Sequence, residues 1–94
     1  MFGRPATRQV TVTHRAGIHA RPSLAIVNTV RRFRSKVKIR NGDQEADASE
    51  ILQVMSLGIP DGARVTLSAQ GPDAEEALAA LVALFADRFG FQED

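Results

Sequence analysis

Asn41-Gly42 narrows the possible folds more than any other pair of residues in the chain. Both residue types tolerate positive φ, and such a pair between two alternating runs marks a tight antiparallel hairpin. The run before it places Val37 and Ile39 between charged residues, and the run after it, Gln44 to Ala48, reads as a weaker strand. An antiparallel sheet is therefore written into the middle of the chain. Upstream, Gln9 to Thr13 alternates with Val10 and Val12 on one face, which predicts another strand. From Ala20 to Phe33 the apolar set Ile26, Val27, Val30 and Phe33 recurs at helical spacing. Downstream, Ile51 to Leu57 predicts a short helix stopped at Gly58, with Pro60-Asp61-Gly62 as a turn. Arg64 to Ala69 alternates again, with Val65 and Leu67 inward. Gly71-Pro72-Asp73 opens a last helix whose stripe is Ala77, Leu78, Leu81, Val82, Phe85 and Phe89. Asp73, Glu75 and Glu76 suit its positive end.

The predicted order is βαββαβα, an α+β fold. A four-stranded antiparallel sheet with the helices on one face buries every stripe. The other face is then open to water, which accounts for Gln9, Thr11, Thr13, Lys36, Lys38, Thr66 and Ser68. A chain of 94 residues is expected to form a single domain over 1–94. The absence of cysteine excludes disulfides and thiolate metal sites, and neither a metal nor a cofactor is expected. Met1 to Pro5 begins no apolar leader and no run reaches membrane length, so a cytoplasmic, monomeric protein without membrane partners is the expectation. The net charge of +1 conceals an asymmetry: residues 1–40 hold ten of the twelve Lys and Arg, and residues 41–94 hold all eleven acids. If folding preserves that division, one face is basic; if strands from the two halves interleave, it is neutralised.

The chemistry concentrates in Gly17-Ile18-His19-Ala20-Arg21-Pro22-Ser23. His19 stands where the first helix should begin, Arg21 follows two residues later, and Pro22 fixes the backbone of the first turn. A helix N-terminus presents N–H groups and partial positive charge to an anion. An imidazole lone pair there can attack phosphorus. The transferred group, carrying about two negative charges, would be received by the Ala20 and Arg21 N–H groups and the Arg21 guanidinium. His19 is thus the candidate phosphoacceptor. His14, at a strand end beside Arg15, lacks that context and is expected to be a surface residue.

This motif, in this element order, resembles the HPr family, the histidine-containing phosphocarriers of the phosphoenolpyruvate-dependent sugar phosphotransferase system. Ile51-Leu52-Gln53-Val54-Met55-Ser56-Leu57-Gly58 is also similar to the family's short second helix, so the resemblance runs from about Gln9 to Phe89. It implies an open-faced β-sandwich, with His19 taking a phosphoryl group from Enzyme I and passing it to an Enzyme IIA component. The chain would then be a carrier turned over by partners, not an enzyme. It also implies an apolar docking patch on the short helix. Leu52 and Met55 are expected to face outward for this, with Ala20 beside them and Arg21 and Arg31 at the rim, while Ile51, Val54 and Leu57 anchor the core.

Two positions depart from the family. The regulatory serine expected just before Ile51 is replaced by Glu50, and the nearest hydroxyl, Ser49, is expected to cap the helix. Glu50 would favour the helix N-terminus by its charge, or act as a fixed negative switch with about half the charge of a phosphoserine. Ala16 stands where a hydrogen-bonding side chain often supports the histidine. Two other functions compete. One is a regulatory phosphocarrier of the family's nitrogen-related branch, acting through phosphorylation-dependent binding. The other is a small nucleic-acid-binding domain using Arg31 to Arg40. Phe33, Val37 and Ile39 in that stretch point inward, and Tyr and Trp for base stacking are absent, so nucleic acid is not an expected partner.

Overall fold

The computed structural model describes residues 3–15 and 17–90. Four strands, β1 (Ala6–Thr11), β2 (Lys36–Asn41), β3 (Gln44–Asp47) and β4 (Arg64–Gln70), form one antiparallel sheet in the order β1-β4-β2-β3. Three helices, α1 (Ala20–Val30), α2 (Ile51–Ser56) and α3 (Ala74–Ala86), complete the predicted order, and a short turn at Arg88–Gly90 follows. The register pairs Ile39 with both Leu67 and Ala46, and Val37 with Ala69, so the inward residues of three strands share one face. Sliding β2 by one residue would exchange Val37 and Ile39 for Lys36, Lys38 and Arg40, which fixes the pairing. Against this face pack Ile26, Val27 and Val30 from α1, Val54 from α2, and Ala77, Leu78, Leu81 and Phe85 from α3, all buried. Each large side chain buried here contributes roughly 1.5–3 kcal/mol. The opposite face carries exposed Gln9, Thr11, Lys36, Lys38 and Arg40 with half-buried Thr66 and Ser68, as the alternation implies.

Several local expectations change. The hairpin turn is Gly42-Asp43, because Asn41 still pairs with Gln44, and only Gly42 takes positive φ, at 63°. α1 stops at Val30, so Phe33 lies beyond the helix, half-buried under the Arg32 guanidinium at 5.8 Å. Phe89 is buried as its stripe requires, yet it is not helical. Arg88 and Phe89 both adopt left-handed φ, 53° and 62°, and turn the ring back onto the core. The charge asymmetry of the sequence is crossed by ion pairs from Arg8 to Glu75 at 2.7 Å and from Lys38 and Arg40 to Glu45, each at 3.7 Å. These exposed pairs interleave the two halves and neutralise part of the basic stretch.

Asp73 precedes α3, but its carboxylate does not cap that helix. It accepts from the Arg34 N–H at 2.9 Å, the Ser35 N–H at 2.9 Å and the Ser35 hydroxyl at 2.6 Å, pinning the α1–β2 loop to the start of α3. Gly71 makes room for this join, since a Cβ there would sit 2.7 Å from Ser35 Cα. The Ser35 hydroxyl, and then the Arg34 N–H, hold the Asp73 carboxyl below its ordinary value of 3.8. A group depressed in the folded state stabilises fully above its unfolded pKa and loses that contribution as pH falls through the folded one. Asp73→Asn is therefore expected to lower the urea midpoint at neutral pH, and the gap to wild type should close progressively below pH 3.8. A gap independent of pH across that range would rule out the carboxylate as its source.

Candidate functional site

The segment leading to α1 is laced to the segment after α2. Val12 N–H donates to the Ala63 carbonyl, Gly62 N–H to Val12, and Ile18 N–H to Ile59, each at 2.8 Å, while Gly17 N–H closes onto His14 O at 2.7 Å. Ile18 and Ile59 are both buried beneath these bonds. Gly17 has φ +74°, and a Cβ on it would collide with the Ile59 carbonyl and lie 2.9 Å from Pro60 Cα, so only glycine lets the two segments meet. Ala16, the position lacking a supporting side chain, lies outside the described residues.

His19 emerges from this lacing as the N-cap residue of α1, in extended conformation. Its carbonyl accepts the Ser23 N–H at 2.8 Å, which begins the helical ladder, but its side chain makes no capping hydrogen bond. The imidazole is therefore exposed and not committed to the helix. Ala20 and Arg21 are exposed beside it in the first turn, Pro22 is buried, and no acidic residue in that turn offsets the positive helix end. Two features thus meet at one point, an accessible imidazole and the N–H groups ahead of the ladder, and Arg21 follows, exposed, in the same turn. Among the described residues no group of three His, Cys, Asp or Glu could hold a metal ion, and no helix is long and apolar enough to cross a membrane.

α2 runs antiparallel to α1. Its start is tied to the far end of α1, where the Arg31 guanidinium donates to Ser49 O at 2.9 and 3.2 Å, and its end lies by Ile59 at the His19 end. Along this flank Leu52 is 78% exposed and Met55 38%, while Val54 and Leu57 are buried and Ile51 half-buried. That division follows the expected one. Arg31 is exposed but serves first as a tie between α1 and the α2 approach.

Ser49 does not cap α2. The N-cap residue is Glu50, exposed and without a side-chain cap bond. The Ser49 hydroxyl instead donates to Asp47 Oδ1 at 2.7 Å, because the chain turns between residues 47 and 50. That hydroxyl, and then the Ser49 N–H, hold the Asp47 carboxyl below its ordinary value.

His14 also departs from expectation. It is buried, with its ring centroid 5.5 Å from that of His19 and 5.9 Å from that of Phe89. The reason is parity: the inward alternation of Val10 and Val12 continues past the end of β1 to His14, while Thr11, Thr13 and Arg15 face out. That signal was present in the sequence. Leu24, 48% exposed on α1, was a further omission. It lines a shallow groove of about 340 Å³ with Arg21, Ala25, Asn28 and Phe89. An apolar residue between Arg21 and Asn28 on the polar side of the helix was the available clue.

Comparison with known proteins agrees with this geometry. Residues 6–87 match the family model described as the PTS HPr component phosphorylation site. The chain is 41% identical over 83 residues to the phosphocarrier protein HPr of Cupriavidus necator, covering 88% of this chain and 93% of that protein. It is 37% identical over 86 residues to the phosphocarrier protein NPr of Escherichia coli, covering 90% and 93%. The crystal structure of HPr-C-His from Thermoanaerobacter tengcongensis superposes with a TM-score of 0.89 at 35% identity, covering 94% of this chain and 99% of that one.

The lacing makes a comparison of two glycines informative. Gly17 and Gly58 both have left-handed φ, +74° and +59°, but a Cβ on Gly58 would meet nothing within 4 Å. Gly58→Ala should cost about 1 kcal/mol, the conformational term alone. Gly17→Ala should cost about 2–3 kcal/mol more and shift the NMR resonances of residues 17–20, because the segments must part. Equal urea midpoints for the two variants would show that the close approach does not constrain the loop.

Proposed function

The chain belongs to the HPr family of phosphotransferase-system phosphocarriers, and on that premise we propose that His19 is its phosphoacceptor, loaded by Enzyme I and discharged to an Enzyme IIA component. The observation that carries this reading is the exposed His19 imidazole at the N-cap of α1, uncommitted to the helix and followed by Arg21. A ring nitrogen lone pair forms the new bond to phosphorus as the donor's bond to it breaks, the electron pair returning to the donor. Such transfer is loose and needs position more than added catalytic groups. The helix terminus and the Arg21 guanidinium then face the dianionic group, the helix contributing on the order of 0.3–1 kcal/mol. Weak retention suits a carrier, which must release what it accepts. Partner enzymes supply the catalysis, and the chain acts as one cytoplasmic, monomeric domain over 1–94.

Ala20, Leu52 and Met55 form the apolar centre on which partners dock, with Arg21 and Arg31 at the rim; their exposure along the α1–α2 flank supports this. Glu50 acts as a carboxylate at a helix start rather than as a switch, and the Ser49 hydroxyl is already engaged by Asp47. A serine kinase is expected to leave both unmodified. The nitrogen-related branch is the second reading, favoured by the similarity to NPr.

Incubation with phosphoenolpyruvate and Enzyme I should load one acid-labile phosphate, and His19→Ala should abolish it. Arg21→Glu should slow loading roughly tenfold or more, equivalent to about 1.4 kcal/mol, without changing the melting temperature. Leu52→Ser should raise the KM for the carrier at unchanged kcat. Acid-labile phosphate persisting in His19→Ala would overturn the acceptor assignment.

A further inference from the structure

We propose that His14 is a positioning residue for phosphoryl transfer, one that fixes the plane of the His19 ring through an aromatic contact. The inference rests on His19 being the acceptor. His14 is 8% exposed and meets the exposed His19 ring edge-on, with 65° between the ring planes. On its other side it meets Phe89 at the same 65°, and Phe89 in turn meets Phe85 of α3 at 4.8 Å and 64°. Four rings therefore form a continuous ladder from the core helix to the acceptor. Centroid spacings of 4.8–5.9 Å with steep interplanar angles are the favourable edge-to-face geometry of aromatic pairs.

Two further features tie the ladder to the acceptor. The chain accepts left-handed φ at Arg88 and Phe89, two non-glycine residues in succession, and so brings the Phe89 ring beneath His14. The backbone of His14 also closes the turn that delivers His19, through the Gly17 N–H bond to its carbonyl. The His19 side chain makes no capping hydrogen bond that would set its torsions. The ring beside it supplies that restraint instead. Transfer between two proteins requires the nitrogen lone pair to lie in line with the incoming phosphorus, and holding that direction in advance is worth more than an extra attraction. His14 touches neither donor nor phosphate; it acts on the acceptor's orientation. Its planar shape is what matters, so another flat ring can replace it and an aliphatic side chain of similar bulk cannot.

The test compares His14→Ala, His14→Leu and His14→Phe with wild type. Loading by phosphoenolpyruvate and Enzyme I is measured over a range of carrier concentrations and normalised to the folded fraction. His14→Ala and His14→Leu should lower kcat roughly tenfold while leaving the KM for the carrier unchanged. His14→Phe should restore most of the rate. The ring-proton resonances of His19 should shift in the Ala and Leu variants and lose the ring contact seen in wild type. A role confined to stability would be rescued by Leu and would leave kcat per folded molecule intact, and that result overturns the proposal. Equal loss of kcat in the Phe variant also overturns it. If His14→Phe does not fold, the Leu variant decides: reduced kcat at constant KM supports positioning, and wild-type kcat ends it. Phosphate loading that survives His19→Ala would remove the acceptor assignment itself, and positioning with it. A wild-type rate in His14→Ala removes positioning alone.

Discussion

The hydrogen bond from Ile18 N–H to the Ile59 carbonyl is the constraint on which the site depends. It brings together two segments that are distant in sequence, one ending at His19 and the other leaving the short helix. Gly17 permits the approach by carrying no side chain, and buried Ile18 and Ile59 seal it from water. A backbone bond shielded in this way resists competition from solvent better than an exposed side-chain pair. The start of α1 is therefore held by main chain and core, and the His19 side chain stays exposed there. Arg31 repeats the arrangement at the other end of the helix, holding the approach to α2 through Ser49 O. Two ties, one at each end, set α2 alongside α1.

The fold was legible in the sequence because its signals are periodic and local. Val37, Ile39, Val65 and Leu67 alternate as half-buried strands must, and Ile26, Val27 and Val30 recur at helical spacing. The place of His19 and Arg21 at the start of α1 was legible because a proline and a helix start are short-range features. What was missed lies at and beyond the ends of the elements, where contacts with distant segments decide. His14 continues the inward alternation beyond the last paired residue of β1, and nothing local marks it as packed between His19 and Phe89. Ser49 would cap α2 if the chain entered the helix one residue earlier. The turn over residues 47–50 gives its hydroxyl to Asp47 instead. Asp73 shows the same competition, because its carboxylate reaches a loop nearly forty positions upstream rather than its own helix.

The contacts around His19 also sort by strength in a way that suits the proposed transfer. The framework beneath it is apolar and closely packed, and each buried side chain there is worth kilocalories. On the proposed reading, a phosphoryl group on His19 would be met by a helix end and an exposed guanidinium, each worth a fraction of that. A rigid support under a weak grip lets the group arrive and leave without reorganising the protein.

The aromatic ladder has a further consequence, for the order in which the molecule matures. Local contacts form early, and long-range ones wait for the chain to close its loops. During synthesis the N-terminal part emerges first, so the segment carrying His14 and His19 leaves the ribosome while Phe85 and Phe89 are still to be made. The turn at Arg88 and Phe89 is among the last parts of the described chain to be added, and only then does His14 gain the ring it rests on. A nascent chain thus carries the His19 imidazole before it carries the Phe89 ring that packs against His14. Completion of the turn at Arg88 and Phe89 is the event that closes the ladder.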